Sequence, residues 1–141
     1  ALFFLQPPIG MAYEWIYERL LGRELPNQLA AGLLQKDSLT GLLGAVLVGG
    51  LFIPLIEEVV FRGLLQDWVG RRLPLSRTIL LVSLVFGLIH GLDYLIPIAF
   101  MGVLLAWLRV RYRSLWPPVL LHAMNNTLIS VVLYLNPELL S

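Results

Sequence analysis

Eighteen residues from Leu39 to Ile56 carry no charge, and the run leads directly into two adjacent carboxylates, Glu57 and Glu58, with Arg62 four residues after the second. An apolar stretch of that length predicts a membrane-spanning helix, here continuing through the acids to Asp67 and ending near Gly70. Gly41, Gly44, Ala45, Gly49 and Gly50 are scattered along it. Small residues let a neighbouring helix backbone come close where lipid removes the hydrophobic driving force. Pro54, one turn before the acids, is expected to kink the helix or to free a carbonyl there.

The same reading places three further segments downstream. Thr78 to Leu92 is the next span, with His90 near its far end; Asp93 and Tyr94 mark a tight turn; Leu95 to Leu108 returns; and Ser114 to Leu135 is the last span, with His122, Asn125 and Asn126 inside it. The two middle spans are short for a bilayer that asks for about 20 residues, so the Asp93 turn is expected within protein or a water-filled cavity. Upstream, Ala1 to Leu21 reads as the end of a membrane helix and then, after Pro7-Pro8, an interfacial helix. Its Tyr13, Trp15 and Tyr17 suit the headgroup level. Gly22 to Ser38 reads as an exposed connection with a short helix around Leu29 to Leu34. The expected organisation is an N-terminal part, 1–38, and a core, 39–141. The start at Ala1, without a signal-peptide n-region, reads as a fragment whose upstream spans are missing.

Composition fixes the class. The chain is 58% hydrophobic and 13% charged, with mean hydropathy +0.81, against about 25% charged residues in soluble domains. We therefore expect an all-α fold, a polytopic transmembrane helical bundle enclosing a polar intramembrane cavity. Its 141 residues suit one domain. The absence of cysteine excludes a disulfide framework, a thiolate metal site and a cysteine nucleophile. A net charge of +1, with no basic cluster on a soluble surface, excludes a nucleic-acid partner. Six of the ten basic residues fall in two short loops, 71–77 and 109–113, and the positive-inside rule places both in the cytoplasm.

Charges inside a lipid-facing helix are costly and mark functional sites by default. Glu58 and Arg62 stand four residues apart on one helix face and can neutralise each other; Glu57, turned about 100° away, lacks that partner. Glu58 and Arg62 are thus assigned a supporting role and Glu57 a reactive one. Counted from the basic loops at helical rise, Glu57 and His90 lie about 20 Å along their helices and His122 about 13 Å along its own. The three can meet inside the bilayer. Phe86 and His90, and likewise His122 and Asn126, are spaced to share a face. Gly87 and Gly91 form a GxxxG beside the first pair, permitting close packing. Ser83, Thr127 and Ser130 read as packing hydroxyls, and the phenylalanines and Trp107 as space-fillers.

With no thiol, the chemistry on offer is activation of water. A carboxylate beside an imidazole can take a proton from water for attack on a carbonyl, and the resulting oxyanion needs donors already in place. This assigns Glu57 as base, His90 as its partner, and His122 with Asn126 as the oxyanion clamp.

Glu57-Glu58-x-x-x-Arg62, Phe86-x-x-x-His90 and His122-x-x-x-Asn126, in that order on successive apolar spans, resemble the three motifs of the CPBP intramembrane protease family of glutamic endopeptidases. That family includes the CAAX prenyl proteases and the bacteriocin-processing and self-immunity proteins also called Abi. The resemblance covers roughly Thr40 to Leu135, while Ala1 to Ser38 matches no part of it. It implies tilted helices around a cavity open to the cytoplasm and a metal-free endopeptidase without a cofactor. It also implies that Glu57 activates water with His90, that Glu58 and Arg62 support it, and that His122 and Asn126 stabilise the oxyanion. The partners it implies are a peptide or protein substrate in or at the membrane, lipidated or not, and the lipid bilayer.

Two alternatives remain open from the residues. Zinc among Glu57, His90 and His122 would suit the ligand types of a catalytic site, although no HExxH segment occurs. A non-catalytic immunity or scaffold protein would use the same polar cluster to hold helices together.

Overall fold

In the computed structural model, residues 12, 15–20, 22 and 38–136 are described. Four helices dominate: α1 (Leu39–Gly70), α2 (Leu75–Ile89), α3 (Leu95–Tyr112) and α4 (Trp116–Leu135). A one-turn 3₁₀ segment, Leu92–Tyr94, joins α2 to α3. Among the described residues no strand occurs. The fold class is the one the sequence predicts, an all-α membrane bundle. α1, the Leu92–Tyr112 segment that contains α3, and α4 are each long and apolar enough to cross a bilayer. The large side chains turned outward, such as Leu47, Phe52, Leu80 and Leu128, suit a lipid solvent, which removes any penalty for exposing them.

The helices close into a ring. α2 lies along α3, α3 along α4, and the first half of α1 along α4, while the second half of α1 returns to α2. Both basic loops therefore lie at one end of the bundle, where Asp67 of α1 pairs with Arg109 of α3 at 3.6 Å. α2 is the shortest member, 15 residues or about 22 Å. It stops at Ile89, so His90 lies just past the helix end, whereas the span drawn from the sequence carried the helix through His90 to Leu92.

The close α2–α3 contact rests on glycine. A Cβ placed on Gly87 would come within 2.6 Å of the Leu95 carbonyl oxygen, and one on Gly102 within 3.0 Å of the Ser83 Cβ. The first obstacle is backbone and cannot swing aside. Gly87→Ala is therefore expected to lower stability by about 1–3 kcal/mol, the usual effect of overpacking, measured as equilibrium unfolding in detergent. The GxxxG expected there is divided in function: Gly87 packs, whereas Gly91 makes the turn with φ 102°. Ser83 and Thr127 do act as packing hydroxyls, facing Gly102 and Gly50 of neighbouring helices. Ser130 instead donates within its own helix, to the Asn126 carbonyl at 2.9 Å.

Most of the N-terminal expectation lies outside the described residues, including Tyr13, the helix proposed before Pro7 and the one around Leu29 to Leu34. Residues 15–20 are helical, and here one position differs from the expectation. Tyr17 is only 5% exposed, and its hydroxyl donates to Asp93 Oδ1 at 2.6 Å. An acid at the turn outcompetes the headgroup region for that hydroxyl, and the same bond gives the half-buried Asp93 a partner within the protein.

Candidate active site

α1 does not wind evenly around the acids. The Ile53 N–H reaches the Val48 carbonyl and the Gln66 N–H reaches the Phe61 carbonyl, each five residues back. These widened π-type turns flank the regular stretch Ile53–Glu58 that carries both carboxylates. Such turns recur at functional sites. The next donor in the first widened turn would be Pro54, reaching back to Gly49, and proline has no N–H. The Gly49 carbonyl accepts instead from Asn126 Nδ2 of α4 at 3.2 Å. Pro54 thus frees a carbonyl, as its position suggested, and α4 uses it.

The two acids have the different surroundings that the sequence implied. Glu58 and Arg62 are both 0% exposed, with Arg62 Nη1 at 3.0 Å from Glu58 Oε1. Arg62 Nη2 also donates to the Gly102 carbonyl at 3.2 Å, and its guanidinium lies 4.3 Å from the centre of the Phe86 ring. Glu58 has a second partner that sequence reasoning missed: His122 Nδ1 lies 2.9 Å from the same Oε1. Glu58 Oε2 and Arg62 Nε have no partner among the described residues. A buried pair left partly unsatisfied is poor evidence of optimised stability, which points to a role in holding His122.

Glu57 sits between the two imidazoles. Its Oε1 is 3.5 Å from His90 Nε2 and its Oε2 is 3.6 Å from His122 Nε2, with side chains 20% exposed for Glu57 and 15% for His90. These separations are too long for strong direct hydrogen bonds. Each ring is held by its other nitrogen. His90 Nδ1 donates to the Phe86 carbonyl at 2.7 Å, and His122 Nδ1 donates to Glu58. Fixing one ring nitrogen decides what the other can do, so both Nε2 atoms are presented to Glu57.

Phe86, which the sequence marked as a space-filler, is the hub of this arrangement. Its buried ring meets the His90 ring edge-on at 4.7 Å and the His122 ring at 5.8 Å. Trp107 is exposed and fills no core space. Asn126 lies one turn from His122 with its amide on Gly49, and its Oδ1 accepts from Asn125 Nδ2 at 3.3 Å. One amide hydrogen of Asn126 is left for another acceptor. The structure thus brings Glu57, Glu58, Arg62, His90 and His122 into one connected cluster and sets Asn126 beside it. Among the described residues no three His, Asp or Glu side chains are disposed to hold a metal ion together.

His90 owes its position to the residue after it. Gly91 has φ 102° and ψ 152°, a region closed to side-chain-bearing residues. Gly91→Ala is expected to cost about 1–3 kcal/mol in backbone strain and to displace the His90 ring. NMR of that imidazole in detergent would report the displacement; an unmoved resonance would contradict it.

Residues 39–128 match the family model described as type II CAAX prenyl endopeptidase Rce1-like. A Bacillus subtilis (strain 168) protein, YdiL, named provisionally as a membrane peptidase, is 28% identical over 118 residues, which is 83% of this chain and 46% of that protein. The membrane-embedded CAAX protease MroQ of Staphylococcus aureus (strain USA300) is 31% identical over 94 residues, 62% of this chain and 38% of that protein. The chain thus spans less than half the length of either relative. No solved structure matches it. With its matched segment running from the start of α1 into α4 and containing the whole polar cluster, this integral membrane chain belongs to the Rce1-like family of type II CAAX prenyl endopeptidases.

Proposed function

We propose that the chain is the catalytic part of an intramembrane glutamic endopeptidase that hydrolyses a peptide bond of a membrane-associated substrate. The observation that carries this reading is the position of Glu57, a partly exposed carboxylate faced by two imidazoles whose far nitrogens are already committed. Glu57 takes a proton from water while His90 Nε2 accepts that water's second hydrogen bond, and the oxygen attacks the peptide carbonyl carbon. His122 Nε2–H, with the ring's charge balanced by Glu58, and the remaining amide hydrogen of Asn126 receive the oxyanion. Collapse breaks the C–N bond, and the proton held by Glu57 passes to the departing amine. Glu58 and Arg62 touch no reacting atom; they set the angle of His122. The basic-loop end faces the cytoplasm by the positive-inside rule.

The test is a comparison of membrane peptides from cells carrying the wild-type chain, within its full-length protein, or Glu57→Gln. Peptides that accumulate uncut with the variant support an endopeptidase and identify its substrates. Indistinguishable peptide sets would favour the scaffold reading.

A further inference from the structure

One turn past Glu57, at Val60, α1 begins to wall an apolar groove of about 720 Å³ that runs toward the basic loops. Phe61 and Val85 form its floor, Leu64 and Trp68 its rim, and Arg71 its far end. The groove is open along one side, so an occupant would lie along it rather than be enclosed. From Val60 to Arg71 the helix rises about 16 Å, which matches one leaflet of a hydrocarbon core about 30 Å thick. The groove is apolar from Val60 to Leu65 and ends among Asp67, the Trp68 ring and the Arg71 cation.

The charges at its mouth select the occupant. Asp67 is paired with Arg109, and the Arg72 guanidinium is stacked 4.5 Å from the Trp68 ring centre, holding the indole at the rim. Arg71 lines the groove, is exposed, and has no ion pair among the described residues. We propose that the groove binds one acyl chain of an anionic diacyl phospholipid whose phosphate rests against Arg71. A neutral lipid or a transmembrane helix of another protein would fill the apolar part and leave that cation unmatched. This site stands apart from the polar cluster and does not depend on what Glu57 does.

The experiment is native mass spectrometry of the purified full-length protein released from mixed micelles holding equal amounts of phosphatidylglycerol and phosphatidylcholine with identical acyl chains. One phosphatidylglycerol is expected to be retained in preference. Arg71→Gln should lower that preference about fivefold, the effect of one basic residue at a membrane surface. Leu64→Trp, which fills the groove, should lower retention of both lipids. Arg111→Gln, at the same end but stacked on Tyr112 and outside the groove, should change neither. All three positions are exposed, so the variants are expected to fold, and unchanged gel-filtration profiles check this. Equal retention of the two lipids by the wild type would overturn the proposal. So would an effect of Arg111→Gln equal to that of Arg71→Gln, which would reveal a diffuse basic rim. Retention indifferent to Leu64→Trp would place the lipid elsewhere, and displacement of phosphatidylglycerol by a prenylated peptide would assign the groove to substrate instead.

Discussion

Glu57→Gln is expected to lower peptide cleavage by a factor of about 10²–10⁴, the usual contribution of a positioned general base, while leaving the protein as stable as the wild type. The substitution keeps the shape of the side chain and removes its capacity to accept a proton. Stability should hold because Glu57 is partly exposed and its contacts, at 3.5 and 3.6 Å, are long. Both rings keep their anchors, the Phe86 carbonyl for His90 and Glu58 for His122. Turnover and equilibrium unfolding of the purified protein separate the two effects. Full turnover by Glu57→Gln would remove the base from the mechanism. A large loss of stability would make Glu57 a structural residue.

Arg62→Ala is expected to show the opposite balance, losing about 3–5 kcal/mol of stability, the range for breaking a buried ion pair by removing one partner. Both members are fully buried, so the truncation leaves the Glu58 carboxylate with the His122 ring as its one remaining partner in a region without solvent. It also removes the donor to the Gly102 carbonyl and the charge over the Phe86 ring, loosening the α1–α3 contact and the hub together. Glu58→Gln should be milder, about 1–3 kcal/mol, since an amide oxygen can still accept from His122. It should also impair turnover through the altered His122 ring. Unfolding of Arg62→Ala at wild-type denaturant concentration would show that the pair is dispensable.

The four helices were legible because long apolar runs between arginine-rich loops have few alternatives in a bilayer, and the distinction between Glu57 and Glu58 followed from helical spacing to Arg62. His122 bonding to Glu58 was not legible, since it depends on the register of α4 against α1 and no local pattern encodes that. The end of α2 before His90 had a signal that the span reading passed over: glycine directly after a helical run is a common stop, and Gly91 is that glycine. The Asn126 to Gly49 bond follows from two facts in different places, a widened turn set by packing and a proline that cannot donate. Only the second is visible in sequence. Phe86 looked like filler because a ring's neighbours across helices are unreadable from its own helix. The groove from Val60 to Arg71 likewise appears only when Val85 of α2 is set against α1.

The central claim is that Glu57, held between two anchored imidazoles, activates the hydrolytic water without a metal. Its most direct test is cleavage, by the purified full-length protein, of a substrate identified in the cellular comparison, after exhaustive chelation and with Glu57→Gln alongside. Undiminished cleavage by the chelated wild type and none by the variant is the predicted result. Cleavage lost on chelation and restored by zinc, or cleavage persisting in Glu57→Gln, would contradict it.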